Sequence, residues 1–341
     1  LKSAAAKFLK AHRKGTLSIL IANTVGRAHL YHQAVVAGNP KPEVLLLHSR
    51  FRAADRARLA QRLLEPVPAA GRILIATQVV EAGVDLDASL LVSEVAPWSS
   101  LVQRLGRLNR SGEVDHATFG WIDLADKLAA PYEPEALGLS REMLYDLSRT
   151  GNASPDELPT VSEEPPWDLV LRRRELFELF DTEPDLTGAD LDVSRYIRVS
   201  DERDVLVFWR NIADKAPDAD LRPTRDELCR VPIGALREFL SKRSKETRLA
   251  GSKSFQGAHV FDHFDGRWVR IKASLDGLAP GRLVCLDAQL GGYEADRGWV
   301  GDSAGQVVPT IEATPVESDE GWSSGDDPGT YVKSWVTLDE H

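Results

Sequence analysis

The sequence has no long apolar run, almost no cysteine and no phosphate loop, and each absence narrows what the chain can be. Its longest apolar stretches, such as Ile19 to Ala22 and Val44 to Leu47, fall far short of the roughly 20 residues that span a bilayer. No leader pattern opens the chain, so a cytoplasmic location without a membrane partner is expected. The two cysteines, Cys229 and Cys285, match no zinc or redox spacing and are expected in the core as small apolar residues. Neither a GxxxxGK[ST] loop nor a DExH or DEAD box occurs. The chain therefore lacks the lysine and the Mg²⁺-holding carboxylate with which such proteins take a nucleoside triphosphate. It opens on Leu1 rather than a methionine, which reads as a fragment.

What is present is ordinary for a soluble protein: 43% hydrophobic and 28% charged residues over 341 positions, room for two domains. A net charge of −10 speaks against a nucleic-acid partner until it is divided along the chain. Residues 1–150 hold 19 Lys+Arg and 15 Asp+Glu, while the remainder holds 23 and 37. The first part is thus mildly basic and the second strongly acidic. Proteins that bind a strand do so in a local groove, so global charge is a weak test.

Residues 1–125 alternate between short apolar runs and helical patterns. Strands are expected at Leu17–Asn23, Glu43–His48, Gly71–Thr77, Leu90–Val95 and Thr118–Leu124, with helices over Gly26–Ala37, Arg52–Leu64 and Ser99–Asn109. That order implies βαβ units, hence a parallel sheet with helices on both faces, an α/β fold. Residues 131–166, rich in Pro, Glu and Ser around a short helix at Ser140–Arg149, read as a linker. Residues 167–312 read as a mixed α+β region. A helix is expected at Leu169–Phe180 and strands at Leu206–Trp209, His259–Phe264, Trp268–Lys272 and Leu283–Leu286, with Asp265-Gly266 as a hairpin turn. Residues 313–341 form an acidic, flexible tail.

Two motifs carry chemistry. In Gln103-Arg104-Leu105-Gly106-Arg107-Leu108-Asn109-Arg110, arginines recur every third residue. On a helix, Arg107 and Arg110 would project from one side with Gln103 and Gly106 close by. Paired guanidinium groups match a polyphosphate, and an arginine finger accelerates phosphoryl transfer by about 10³–10⁵. A plain solvated basic face is the bland alternative. The second motif runs from Ala76 to Asp87. Thr77 stands at a strand end where hydroxyl and amides can grip a phosphate. Gly83 permits a tight turn, and Asp85 can meet a ribose hydroxyl or an arginine of the first motif. An ordinary capped strand-to-helix connection is the alternative. Weaker signals are Asn23-Thr24 and His48-Ser49-Arg50-Phe51, small polar groups and an arginine at strand carboxyl ends, where ligands bind in open α/β sheets. The latter reads equally well as a helix cap.

The first motif, QRxGRxxR, resembles motif VI of superfamily 2 helicases, and ATxxxExGVDxD resembles motif V, at the expected distance upstream. Asn23-Thr24 resembles motif IV. The chain is thereby identified with the second RecA-like lobe of such a helicase, residues 1–130, followed by an accessory region. LLLHSRFRAADR from Leu45, Val95-Ala96-Pro97-Trp98 before the arginine motif, Ser194-Arg195-Tyr196-Ile197-Arg198, Phe208-Trp209-Arg210 and Gly291-Gly292-Tyr293 narrow the resemblance to the CRISPR-associated helicase-nuclease of type I systems.

That resemblance implies an ATP-driven translocase on single-stranded DNA, recruited by a crRNA-guided surveillance complex and feeding an HD nuclease that uses a divalent metal. ATP and Mg²⁺ would be held mainly by a first RecA-like lobe outside this chain, leaving the chain alone inactive. Gly83, Asp85, Gln103, Arg107 and Arg110 would face ATP, with Gln103, Arg107 and Arg110 acting in catalysis. Asn23, Thr24, His48, Ser49, Arg50 and Thr77 would meet DNA. His341, in an LxxH-like ending, reads either as the first metal ligand of an HD domain or as a chance terminal histidine. His259 and His263, four apart on an expected strand, read as structural. Two other readings remain: a general DEAH-like RNA or DNA helicase with an unrelated accessory domain, and a non-catalytic nucleic-acid-binding module. The motor reading requires Arg107 and Arg110 to lie by the sheet ends that carry Thr77.

Overall fold

The computed structural model describes residues 1–81, 85–114, 116–161, 173, 204–212, 215–249, 257–271, 277–301 and 306–311. All but Arg173 of the expected helix at Leu169–Phe180, the Ser194–Arg198 stretch of the resemblance, Gly83 and the tail with His341 lie outside them. Leu1–Thr310 forms one compact unit.

Five strands, β1 (Leu17–Ile21), β2 (Glu43–Leu47), β3 (Arg72–Ala76), β4 (Leu90–Glu94) and β5 (Thr118–Ile122), build an all-parallel sheet in the order β2-β3-β1-β4-β5. Every residue of β1 and β3 is buried, as strands covered on both faces must be. Alternate side chains go to opposite cores. Leu20, Ile73 and Ile75 pack with Phe8 of α1 (Lys2–Ala11) and with Tyr31 and Val35 of α2 (Val25–Ala37). Ile19, Ile21 and Leu74 pack with Leu59 and Leu63 of α3 (Ala53–Leu64). The expected α/β lobe with helices on both faces is what the chain forms.

Two expectations about the elements need correction. Helix α4 spans Trp98–Leu105 and stops before Asn109. Gly106 caps it, and Asn109 takes a left-handed φ of 46°. The Asn109 side chain clamps the turn by donating to the Val114 carbonyl and accepting from its N–H. The second correction concerns the short helix expected at Ser140–Arg149 within the 131–166 stretch, which is longer and packed against the lobe. Helix α5 runs from Pro134 to Thr150, with Pro at its first turn, where a missing N–H costs nothing, and a left-handed Gly151 closing it. Its Leu137, Leu144 and Leu147 pack with Trp98 and Leu101 of α4, and the Trp98 indole donates to the Pro159 carbonyl at 2.8 Å.

The accessory region contains a second sheet, β7-β6-β10-β8-β9, from β6 (Asp204–Arg210), β7 (Cys229–Pro232), β8 (Ala258–Asp262), β9 (Arg267–Arg270) and β10 (Leu283–Asp287). β6 and β10 are parallel and the other pairs antiparallel. Strand β8 ends at Asp262, short of the expected Phe264, because the Asp262 carboxylate accepts the N–H groups of Phe264 and Asp265 and starts the turn. Helix α6 (Ile233–Leu249) and a small hairpin, β11 (Tyr293–Glu294) with β12 (Gly298–Trp299), complete it. Cys229 and Cys285 are buried core residues. His259 is buried in β8, whereas His263 is exposed on the turn and stacks edge-on against Phe261.

The small hairpin is stitched to the lobe. The Tyr293 hydroxyl donates to Asp55 at 2.6 Å and accepts from the Arg52 N–H at 3.1 Å. The Arg52 guanidinium lies 4.5 Å over the Tyr293 ring and donates to the Pro309 carbonyl.

Candidate functional site

Parallel pairing aligns the carboxyl ends of β2, β3, β1 and β4, so the residues that follow them sit side by side. These are His48, Ser49 and Arg50 after β2, Thr77 after β3, Asn23 and Thr24 after β1, and Val95 after β4. The Thr77 N–H donates to the Leu47 carbonyl, and the Ala22 N–H to that of Ala76. The weaker sequence signals and the second motif thus converge on one edge.

Their exposure divides them. Ser49 is exposed, and Thr24 and Arg50 are half-buried. The Thr24 hydroxyl caps α2 by accepting from the Arg27 N–H at 3.3 Å, a conventional helix-cap role. Arg50 borders a cleft of about 460 Å³ that also holds Gly26, His29, Lys242, Arg297 and Trp299. Asn23 and His48 do not fit the expected contact with a strand. Asn23 is 4% exposed, and all its polar groups are used internally. Its N–H donates to Glu94 at 2.6 Å and its Nδ2 to the Val95 carbonyl. Its Oδ1 accepts from Arg104, and its carbonyl accepts from Gln78. His48 is fully buried, with Nε2 3.0 Å from the Arg297 carbonyl and Nδ1 accepting from the Arg50 N–H. Burial, with the charge of neighbouring His29 next, lowers its pKa to about 3. It is a neutral fastener, without the charge to hold a phosphate. Thr77 is 3% exposed, which leaves its side chain little contact surface.

The three arginines do not share a helix face, because the helix ends between the first and second. Arg104 is fully buried. Arg107 is half-buried and lies over the segment that follows Thr77, its Nε donating to the Val80 carbonyl and its Nη2 to that of Glu81, both at 3.0 Å. Arg110 lies further out on the turn, half exposed, and pairs with Asp85 at 3.1 Å. Its N–H and that of Ser111 donate to the Asp87 carboxylate. Arg107 therefore meets the condition of lying by the Thr77 end. Arg110, half exposed on the turn and paired with Asp85, does not meet it. Gln103 is exposed on the last turn of α4. Two cationic side chains and an exposed amide suit one side of a polyphosphate and leave its other side to be held by another surface.

Sequence reasoning left out the residues that join these parts. Arg104 donates from Nε to Glu81 at 2.8 Å and from Nη1 to Asn23 Oδ1 at 3.0 Å, Ser93 Oγ at 2.8 Å and the Glu94 carbonyl. Glu94, also fully buried, holds Arg27 of α2 at 2.9 Å. The arginine triplet was legible, but which member turns inward depends on where the helix stops. Among the described residues no cluster of three or more His, Cys, Asp or Glu could hold a metal ion, and no helix is long and apolar enough to cross a membrane.

Residues 14–113 match the family model described as CRISPR-associated nuclease/helicase Cas3, C-terminal. A putative CRISPR-associated nuclease/helicase Cas3 from Myxococcus xanthus is 39% identical over 112 residues, 32% of this chain and 14% of that protein. A CRISPR-associated nuclease/helicase Cas3 from Methanothermobacter thermautotrophicus is 26% identical over 236 residues, 66% of this chain and 27% of its own length. The matched part thus spans well under a third of either relative. The crystal structure of T. fusca Cas3-AMPPNP aligns over 84% of this chain and 37% of that one, at 16% identity and a TM-score of 0.46.

Proposed function

We propose, from the match of residues 14–113 to the Cas3 C-terminal family model and its relatives, that the chain is the second motor lobe of an ATP-dependent single-stranded-DNA translocase. The observation that carries the reading is the packing of one motif on the other. Arg107 rests on the carbonyls of Val80 and Glu81, and Arg110 pairs with Asp85. Arginines are thereby gathered beside the segment that leads from the sheet edge.

ATP, when bound, supplies the energy of phosphoryl transfer. A first RecA-like lobe would hold most of it, with its Mg²⁺. This chain's part is to approach from the other side. Gln103 is exposed and already accessible. Arg110 leaves an exposed pair with Asp85, an exchange that costs little because both partners are solvated. Arg107 gives up two carbonyl acceptors for a charge-assisted pair, the stronger bond. Gly83 would close the turn between them.

Ser49, Arg50, the α2 N-terminus at Thr24 and the amides near Thr77 would hold phosphates of the DNA strand, which positions it without reading its sequence. Asn23 and His48 support this surface from beneath. By the same likeness the whole protein would be recruited by a crRNA-guided surveillance complex in the cytoplasm and feed a metal-dependent HD nuclease in antiviral defence, with His341 as a candidate first ligand.

The test is ATP hydrolysis by the protein that joins this chain to a first lobe. Turnover stimulated by single-stranded DNA is expected there and none from residues 1–341 alone. Hydrolysis indifferent to DNA, or hydrolysis by this chain alone, would overturn the reading.

A further inference from the structure

Arg104 is the one arginine of the triplet that the proposed chemistry does not use, and it is the most enclosed. No part of it reaches solvent. A buried guanidinium is retained only where acceptors surround it, and here they come from three separate segments. The Glu81 carboxylate, its side chain 8% exposed, accepts from Nε at 2.8 Å and lies as close to Nη2 as an ion pair, although Nη2 makes no hydrogen bond among the described residues. Asn23 and the end of β4 take Nη1.

Each acceptor leads somewhere. The carbonyl of Glu81 holds Arg107 while its carboxylate holds Arg104. Asn23 immediately precedes Thr24, which caps α2. The Asn23 N–H is fixed by Glu94, whose other bonds hold Arg27 one turn into the same helix. Gln78 of the 78–81 segment reaches back to the Asn23 carbonyl at 3.0 Å. The residues proposed to face nucleotide and those proposed to face DNA are therefore joined through the buried Arg104 side chain, with Gln78 as a second, lighter link.

We infer that Arg104 is a positioning residue that couples DNA binding at the α2 N-terminus to the placement of Arg107, acting through Glu81 on one side and Asn23 on the other. This rests on the motor reading above. A displacement at Thr24 on binding a strand moves Asn23, and Arg104 passes it to the 80–81 carbonyls from which Arg107 must be released. A guanidinium suits the task because its planar fork fixes several acceptors at once, which an ammonium cannot do.

The test is Arg104→Lys in the protein that joins this chain to a first lobe, with ATP turnover measured without and with single-stranded DNA. Basal turnover within about threefold of wild type and a stimulation reduced by about tenfold are expected, a normal size for coupling between sites. Glu81→Gln should lower stimulation likewise, and the double variant should be no worse than the more affected single one, as for residues acting in series. Hydrogen exchange on the 341-residue chain supplies a readout free of activity. Arg104→Lys should speed exchange at residues 24–27 and 78–81 together and leave the accessory strand β10 unchanged. A proportional fall in both basal and stimulated turnover, or additive effects, or exchange altered at only one segment, would overturn the inference while leaving the motor reading intact. A wild-type protein with no stimulation at all would overturn both.

Discussion

The peptide N–H of Trp299 donates to the carbonyl of Arg50 at 2.9 Å, so the accessory hairpin is bonded to the loop that carries a proposed DNA contact. Gly298 makes this approach possible. It has a φ of 69°, and a Cβ there would lie 2.5 Å from the Arg50 carbonyl oxygen and 2.7 Å from the His48 ring. Gly298→Ala combines backbone strain with a clash and should destabilise the chain by about 2–4 kcal/mol. Urea unfolding would show it, and an unchanged midpoint would mean that the seam is not close-packed.

The same seam makes stability depend on pH. His48 stays neutral in the folded chain down to about pH 3, against an ordinary value of 6.5, and neighbouring His29 is lowered to about 4 by burial and then by the charge of Arg297. The folded pKa lies below the unfolded one, so unfolding takes up protons in acid. Stability is complete above pH 6.5 and falls as the pH drops towards 4, by about 1.4 kcal/mol per pH unit for each such histidine. Urea titrations between these limits should give a slope that is reduced by about one proton in His48→Ala. A slope equal to wild type would show that His48 is not the group responsible.

Arg50 tests the DNA surface separately from the nucleotide side. In the protein carrying both lobes, Arg50→Ala should weaken single-stranded DNA binding equally across sequences. It should also reduce the dependence of log affinity on log salt by about 0.7, the value of one phosphate contact on a single strand. Fluorescence anisotropy at several salt concentrations measures both. A loss confined to one sequence would assign Arg50 a different role.

Much of the lobe was legible because its strands are buried on both faces and read as unbroken apolar runs. Leu17–Ile21 and Arg72–Ala76 fall inside the expected spans. The end of α4 was not legible. Arg104 to Arg110 carries a helical repeat, but the stop depends on Asn109 clamping Val114, a local bond that competes with the helix. Helix α5 is longer than expected because it lies in a stretch whose richness in Pro, Glu and Ser suggests a linker, although Pro134 at its first turn favours a helix. The polar groups at Asn23 and His48 were read as surface contacts from their place at strand ends. Their burial is set by Arg104 and Arg297, 81 and 249 positions away, and no local pattern announces it. The seam through Tyr293, Asp55 and Arg52 was unreadable for the same reason.

The central claim is that Arg107 and Arg110 act on a nucleotide held by another lobe, and ATP turnover of Arg110→Ala in the protein containing that lobe tests it most directly. Arg110 is half exposed and its pair with Asp85 is solvated, so its loss should leave folding and DNA affinity almost unchanged. The account predicts a fall in DNA-stimulated turnover of about 10³ or more. Turnover at the wild-type rate would contradict it.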